Sequence, residues 1–199
     1  MAELKTYGEI YDKDFLEKFG EYRDNIAKTK LEKEFEVDVE NIAELCEIKV
    51  SYKKLDVSGT CILYHSQAKY GSSDDSDTRL IIINKDESRP FQRFTIAHEL
   101  GHIILGHEGV SFMDATCEKY SDLIKRANEL SANTFATELI MPEILLRDVI
   151  DDSIKNLGFD SKSMFSDADI DMISYYASNA MGVSISALKY RLKSLKVFR

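Results

Sequence analysis

The stretch "RFTIAHELGHIILGH", residues 93–107, carries three of the four histidines of the chain. Its apolar residues recur at helical spacing, which predicts one apolar stripe made of Ile96, Leu100, Ile103 and Ile104. His98 and His102 are four residues apart, so on a helix both project from one face, roughly opposite that stripe. The stretch therefore predicts an amphipathic helix that packs on a sheet and lines a cleft with its histidines.

Glu99 follows the first histidine directly and completes the pattern H-E-x-x-H. Two imidazoles on one helical face can bind one metal ion, and a glutamate about 100° around the helix reaches a water held by that ion. We therefore expect His98 and His102 to be zinc ligands and Glu99 to be a general base. The alternative is an amphipathic helix whose histidines are solvated or bonded within the core, and the pattern in a histidine-poor chain favours the metal site.

The third ligand decides the class of zinc site. Metzincins have a glycine at the position of Leu105 and a histidine at the position of Glu108, and this chain has neither. His107 is one place out of register, so the sequence excludes that class.

A gluzincin-like site takes a glutamate from a later helix, and "NELSANTFATELIMP", residues 128–142, supplies Glu129. Glu129 shares a helical stripe with Ala132 and Ala136, two small residues that leave room for this helix to approach the histidine helix. We therefore predict Glu129 as the third ligand. The other candidates are Glu108, Asp114, Glu118 and Glu138.

Two imidazoles and one carboxylate leave a fourth position for water, which is typical of a catalytic zinc site and predicts hydrolysis. A further group that stabilises an oxyanion is expected, with four candidates: His107, Tyr120, Tyr175 and Tyr176. Asn133 is a candidate for orienting a ligand, or it faces solvent.

The composition bounds the class of protein. The chain has 199 residues, 44% of them hydrophobic, which predicts one globular unit. A net charge of −9 opposes general nucleic-acid binding. The N-terminus lacks the pattern of a signal peptide and no apolar run could span a bilayer, so we expect a cytoplasmic protein. Cys46, Cys61 and Cys117 show no paired spacing, which indicates small buried side chains and not a disulfide or thiolate site.

The rest of the chain predicts an α+β fold with a small, mostly antiparallel sheet packed against a helical zinc-protease core. Residues 12–35 favour an outer helix interrupted near Gly20, and Asp38 can cap a short helix. Strands are predicted over 48–55, 59–66 and 79–86, with a polar surface loop between the last two. Helices are predicted over 89–107, 118–140, 142–156, 168–180 and 184–196.

The two central motifs, "RFTIAHELGHIILGH" and "ELSANTFATELIMP", resemble the ImmA/IrrE family of zinc metallopeptidases. Ser131 departs from that pattern, since relatives often carry a second acidic residue there. The resemblance extends over about residues 36–196 and implies His98, His102 and Glu129 as zinc ligands and Glu99 as catalytic base. We predict three segments: an N-terminal helical extension (1–35), a zinc metallopeptidase domain (36–157) and a C-terminal helical subdomain (158–199).

The resemblance also implies a substrate, a helix-turn-helix repressor of the Cro/CI type from a mobile element or stress regulon, and therefore an intracellular protease. Two alternatives remain: a DNA-binding or repressor-binding regulator, or a metal-binding protein with a vestigial protease site. The first rests on the C-terminal helix pair, which resembles a helix-turn-helix and has a basic last helix. Leu188, Leu192 and Leu195 give that helix a face that must pack, so we expect docking there and not direct DNA contact.

Overall fold

The computed structural model describes residues 4–55, 79–107, 118–160 and 164–198. The first half contains the short helices α1 (Tyr7–Ile10), α2 (Lys13–Glu17), α3 (Arg23–Lys28) and α4 (Val39–Leu45), followed by the strands β1 (Lys49–Lys53) and β2 (Leu80–Asn84). The second half contains α5 (Arg89–Ile104), α6 (Glu118–Ile140), α7 (Glu143–Asn156), α8 (Asp167–Met181) and α9 (Ile185–Ser194). The predicted α+β class and the order of its elements are confirmed for these residues, which are mostly helical.

The described strands form a two-stranded parallel sheet, in which Lys49 pairs with Leu80 and Lys53 with Asn84. The prediction of a mostly antiparallel sheet is wrong for this pair. Parallel neighbours need a long connection to bring the chain back to the same end of the sheet, and residues 54–79 provide that length between β1 and β2. The prediction had assumed that successive strands pair as hairpins. The predicted strand 59–66 and the polar loop after it lie outside the described residues, as do Cys61 and Cys117.

The N-terminal segment packs directly on α6. The interruption predicted near Gly20 is confirmed: two short helices, α2 and α3, are separated by a 3₁₀ turn over Gly20–Tyr22, where Gly20 has a φ of 56°. Phe15 and Phe19 lie 5.2 Å and 5.6 Å, between ring centroids, from Phe135 of α6. This segment therefore contributes to the same core as the metal-motif helix.

That core is continuous through the described chain. It combines side chains of α2, α5, α7 and α9, among them Phe15, Leu100, Leu146 and Leu188. Residues of all three predicted segments take part in it, and their division into domains stays a prediction. None of the helices in the described ranges has the length and apolarity that a membrane crossing requires.

The start of α5 is held by a buried carboxylate. Glu36 is 8% exposed and accepts hydrogen bonds from Arg89 at 2.9 Å and 2.5 Å and from Lys33 at 2.8 Å. Arg93, also buried, lies 3.5 Å from Glu36 and donates to the backbone carbonyl oxygens of Val37 and Gly182. This network ties the start of α5 to the turn between α8 and α9.

The C-terminal pair α8 and α9 turns at Gly182, whose φ of 64° favours glycine. Leu188 and Leu192 of α9 are buried, as the expected packing face requires. Two basic residues of α9 have partners within the fold: Lys189 pairs with Asp171, and Arg191 donates to the carbonyl oxygen of Met141. The resemblance of this pair to a helix-turn-helix stays a prediction.

We predict that the Glu36 network stabilises the fold above about pH 4.5. Burial alone would raise the pKa of Glu36, but the hydrogen bonds from Arg89 and Lys33 and the charge of Arg93 outweigh it and lower the pKa from 4.5 to about 2. The stabilisation, roughly 2 to 3 kcal/mol, is complete above the unfolded pKa and is lost as the pH falls from about 4.5 towards 2. Urea unfolding of Glu36→Gln should show this deficit at pH 7 and a shrinking deficit in acid.

The matched control is Glu143→Gln, which removes an exposed pair with Arg147 on α7. Such a pair contributes at most about 0.5 kcal/mol. Equal effects of the two substitutions at pH 7 would contradict the stabilising role of Glu36.

Candidate metal centre

Helix α5 presents His98 and His102 on one face, one turn apart. Their Nε2 atoms lie 3.1 Å from each other, and the two side chains are only 17% and 16% exposed. On the opposite face Ile96 and Leu100 are fully buried. The apolar stripe therefore anchors the helix in the core and leaves both imidazoles on the opposite, partly exposed face.

Glu129 of α6 completes the group from the neighbouring helix. Its Oε2 lies 3.4 Å from Nε2 of His98, and its Oε1 lies 3.4 Å from Nε2 of His102. The three ligand atoms are all within 4.8 Å of one another, and among the described residues this is the group with the composition and geometry of a metal site.

The other acidic residues considered as the third ligand are not part of this group in the described structure. Glu138 pairs with Lys18 at 3.0 Å. Glu108, Asp114 and the side chain of Glu118 lie outside the described residues.

The close approach of α5 and α6 brings the three groups together. A Cβ atom on Gly101 would lie 3.0 Å from Cδ1 of Phe135 and 3.2 Å from the carbonyl oxygen of Ala132. Ala132 and Ala136 are completely buried at this contact face of α6. The expectation that glycine and alanine allow the helices to approach is therefore confirmed, and it explains how residues 27 or more positions apart meet.

Asn133 orients His98 from α6. Its Oδ1 lies 3.0 Å from Nδ1 of His98, so it accepts a hydrogen bond from that nitrogen when the ring carries its proton there. Nε2 of His98 then presents a lone pair towards His102 and Glu129. Of the two roles that the sequence left open for Asn133, the structure supports the orienting one.

Glu99 lies next to this group and is partly buried. Burial first, and then the negative charge of Glu129, raise the pKa of Glu99 from 4.5 to about 7.

The donor set suits a cation. Burial, followed by the neighbouring His98, lowers the pKa of His102, which favours its neutral form. One ring nitrogen from each histidine and the carboxylate of Glu129 then converge, and these are ligand types that zinc takes in proteins. The residues therefore fit a bound metal ion.

Comparison with known proteins agrees with this geometry. The sequence profile of the IrrE N-terminal-like domain, Peptidase_M78, matches residues 48–193. The chain belongs to this family. The family resemblance read from the motifs is confirmed, and the matched region contains all four residues of the predicted site.

Two curated relatives are similar to this family member over part of their length. Metallopeptidase ImmA of Bacillus subtilis is 33% identical over 112 residues, which are 55% of this chain and 59% of the relative. Radiation response metalloprotease IrrE of Deinococcus deserti is 27% identical over 94 residues, 47% of this chain and 34% of the relative. The matches thus span about three fifths and one third of the curated relatives.

In this family member, His107 contacts the Nδ1 side of the His102 ring and not the Nε2 side, which faces His98. Its Nδ1 is 3.1 Å from Nδ1 of His102, and its Nε2 is 3.1 Å from Oγ of Ser131. Both nitrogens have partners, so the candidate role of His107 in stabilising an oxyanion is not supported. The signal that sequence reasoning missed is Gly106, because a glycine there ends α5 and turns the next residue back.

The remaining oxyanion candidates lie on two helices. Tyr175 and Tyr176 are exposed on α8, where their rings meet edge to face at 6.0 Å. The side chain of Tyr120 lies outside the described residues. Stabilisation of an oxyanion by any of them stays a prediction.

We predict that Gly101→Val separates the two helices and weakens metal binding. The added methyl groups have no room between α5 and α6, so the substitution should destabilise the protein by about 1 to 3 kcal/mol and move Glu129 away from the histidines. Urea unfolding and metal content per chain measure the two effects. Ala180→Val, at an exposed position of α8, controls for the helix propensity of valine. Full metal content in Gly101→Val would contradict the proposed dependence on close packing.

Proposed function

We propose that the chain is a zinc-dependent endopeptidase. The observation that carries the proposal is the convergence of His98, His102 and Glu129 beside Glu99, with both imidazoles and the carboxylate within 3.1–3.4 Å of one another. Membership of a peptidase family supports it, as do the names of the two relatives, a metallopeptidase and a metalloprotease.

Zinc is the metal that we propose for this site. Zinc binds nitrogen at about 2.0–2.1 Å, so two ligand atoms of a tetrahedral site lie about 3.3 Å apart. The two Nε2 atoms lie 3.1 Å apart, and each lies 3.4 Å from a different oxygen of Glu129, Oε2 for His98 and Oε1 for His102. With one ligand atom taken from each residue, all three lie within 4.8 Å of one another. Three protein ligands of this kind are typical of catalytic zinc sites, which keep the fourth position open.

Zinc held by these residues would polarise a peptide carbonyl and make water acidic enough to act at neutral pH. In that setting Glu99 accepts the proton of the attacking water and returns it to the leaving amine, so that the peptide C–N bond breaks and a carboxylate and an amine result. Its place directly after His98, with a partly buried side chain, supports this role.

The substrate that we propose is a helix-turn-helix repressor of the Cro/CI type, controlling a mobile element or a stress regulon. The support is the family resemblance and the name of the Deinococcus deserti relative, which combines a radiation response with proteolysis. A repressor acts on DNA inside the cell, so the proposed location is the cytoplasm.

We predict one zinc ion per chain, lost when a ligand is removed. His98→Ala or Glu129→Ala should each lower the zinc content, measured by elemental analysis, to a small fraction of the wild-type value. The matched control is Glu138→Ala, which lies on the same helix but pairs with Lys18. Undiminished zinc in Glu129→Ala would move the third ligand to another acidic residue.

We predict that Glu99→Gln binds zinc normally and loses proteolysis. The amide has nearly the same shape but cannot accept the proton of water, so cleavage should slow by about 100-fold or more. The assay follows the cleavage of repressors encoded beside the gene, by electrophoresis and mass spectrometry, with and without a chelator.

Glu138→Gln is the matched control and should cleave at the wild-type rate. Wild-type cleavage by Glu99→Gln would overturn its role as base. A zinc-loaded wild type that binds these repressors without cleaving them would favour the regulator with a vestigial site.

A further inference from the structure

We infer that His107 and Ser131 are positioning residues that hold neutral His102 in the tautomer protonated on Nδ1. Only in this tautomer can its Nε2 bind a metal. The inference deepens the proposed function, since it concerns the same site. It rests on a chain of three contacts: His102 Nδ1 to His107 Nδ1 at 3.1 Å, His107 Nε2 to Ser131 Oγ at 3.1 Å, and Ser131 Oγ to the carbonyl oxygens of Ala127 and Asn128 at 3.0 Å.

The end of helix α5 brings the first two members together. Gly106 has a φ of 67°, the left-handed conformation that commonly ends a helix. The backbone N–H of His107 donates to the carbonyl oxygen of His102 at 2.9 Å, and that of Gly106 donates to the carbonyl oxygen of Ile103 at 3.2 Å. These are the two hydrogen bonds of a Schellman motif. This motif usually joins two apolar side chains at the positions that His102 and His107 occupy here, so the helix end sets one histidine against the other.

The two backbone carbonyl oxygens next to Ser131 decide which atom is the donor in each hydrogen bond of this series. A backbone carbonyl only accepts hydrogen bonds, and two carbonyl oxygens lie 3.0 Å from Oγ of Ser131. We therefore assign the single hydroxyl hydrogen of Ser131 to Ala127 or Asn128, which avoids two unbonded contacts between oxygen atoms. Towards His107 the hydroxyl therefore offers a lone pair, which requires a proton on Nε2 of His107. Neutral His107 then has a lone pair on Nδ1, and this accepts the proton that Nδ1 of His102 donates.

The result is a free lone pair on Nε2 of His102, the nitrogen that faces His98 and Glu129. A neutral histidine free in water prefers to carry its proton on Nε2, which would block that nitrogen as a ligand. Asn133 acts on His98 in the same way, because its Oδ1 can accept a hydrogen bond from Nδ1 of His98 and leave Nε2 with a free lone pair. Each ligand histidine thus has its own acceptor behind it, a side-chain amide for one and a second histidine for the other.

The first test reads the proton positions in the metal-free protein at about pH 8, above the usual pKa range of histidine in proteins. Long-range ¹H–¹⁵N correlation spectra of ¹⁵N-labelled protein distinguish the two tautomers of each ring. We expect His98 and His102 to carry the proton on Nδ1 and His107 to carry it on Nε2. In Ser131→Ala, His102 should shift towards the Nε2 tautomer. A wild-type His102 protonated on Nε2 overturns the inference.

The second test measures zinc affinity by competition with a chromophoric chelator. Loss of a hydrogen-bond partner behind a ligand typically costs 10- to 100-fold in affinity, so His107→Phe and Ser131→Ala should weaken zinc binding at least about tenfold. Ser131→Thr keeps the hydroxyl and should restore the affinity. The matched control is Thr134→Ala, because Thr134 of the same helix donates to the carbonyl oxygen of Leu130 but touches no histidine.

Unfolding of the metal-free variants in urea separates positioning from a structural role. A positioning role requires that Ser131→Ala and Thr134→Ala unfold at similar urea concentrations while only Ser131→Ala loses zinc affinity. Equal zinc affinity in these two variants overturns the inference. If His107→Phe does not fold, the comparison of Ser131→Ala with Thr134→Ala still tests the positioning role. Because the tautomers are read without metal or substrate, failure here is distinguishable from failure of the proposed zinc peptidase.

Discussion

The contact between α5 and α6 at Gly101 is the constraint on which the site depends. Two helices can bring their side chains to one point only if their backbones approach closely, and here the missing side chain of Gly101 faces Ala132 and Phe135. Glu129 has a largely exposed side chain, 59% accessible, so its position follows from its helix and not from its own burial. Packing energy in the core thus sets the geometry of a polar group at the surface.

Helix α5 is held at both of its ends as well as along its apolar face. At the start, the network of Glu36, Arg89 and Arg93 joins it to the turn that follows α8. At the end, the Schellman motif at Gly106 closes it and sets His107 against His102. A histidine pair on a helix fixed in this way keeps its geometry, which would lower the cost of ordering a metal site.

In the sheet, the sequence predicted where a strand lies but not the direction in which it pairs. The strand over residues 80–84 was found because isoleucines in a row are typical of a strand buried on both faces, and Ile81, Ile82 and Ile83 are indeed buried. The predicted antiparallel pairing is wrong for β1 and β2, because the composition of a strand does not fix the direction of the strand beside it. Similarly, the spacing of the N-terminal segment predicted an interrupted helix, but not that Phe15 and Phe19 would pack against Phe135.

Local spacing alone determined the helical face shared by His98 and His102, the place of Glu99 beside them, and Glu129 as the favoured third ligand. These follow from the period of a helix, which is the same in any fold. Only the tertiary structure decided the rest: that Glu129 meets both histidines, that Asn133 lies behind His98, and that His107 and Ser131 lie behind His102. Those contacts join residues from two helices, and they depend on how closely the helices pack and on where α5 ends.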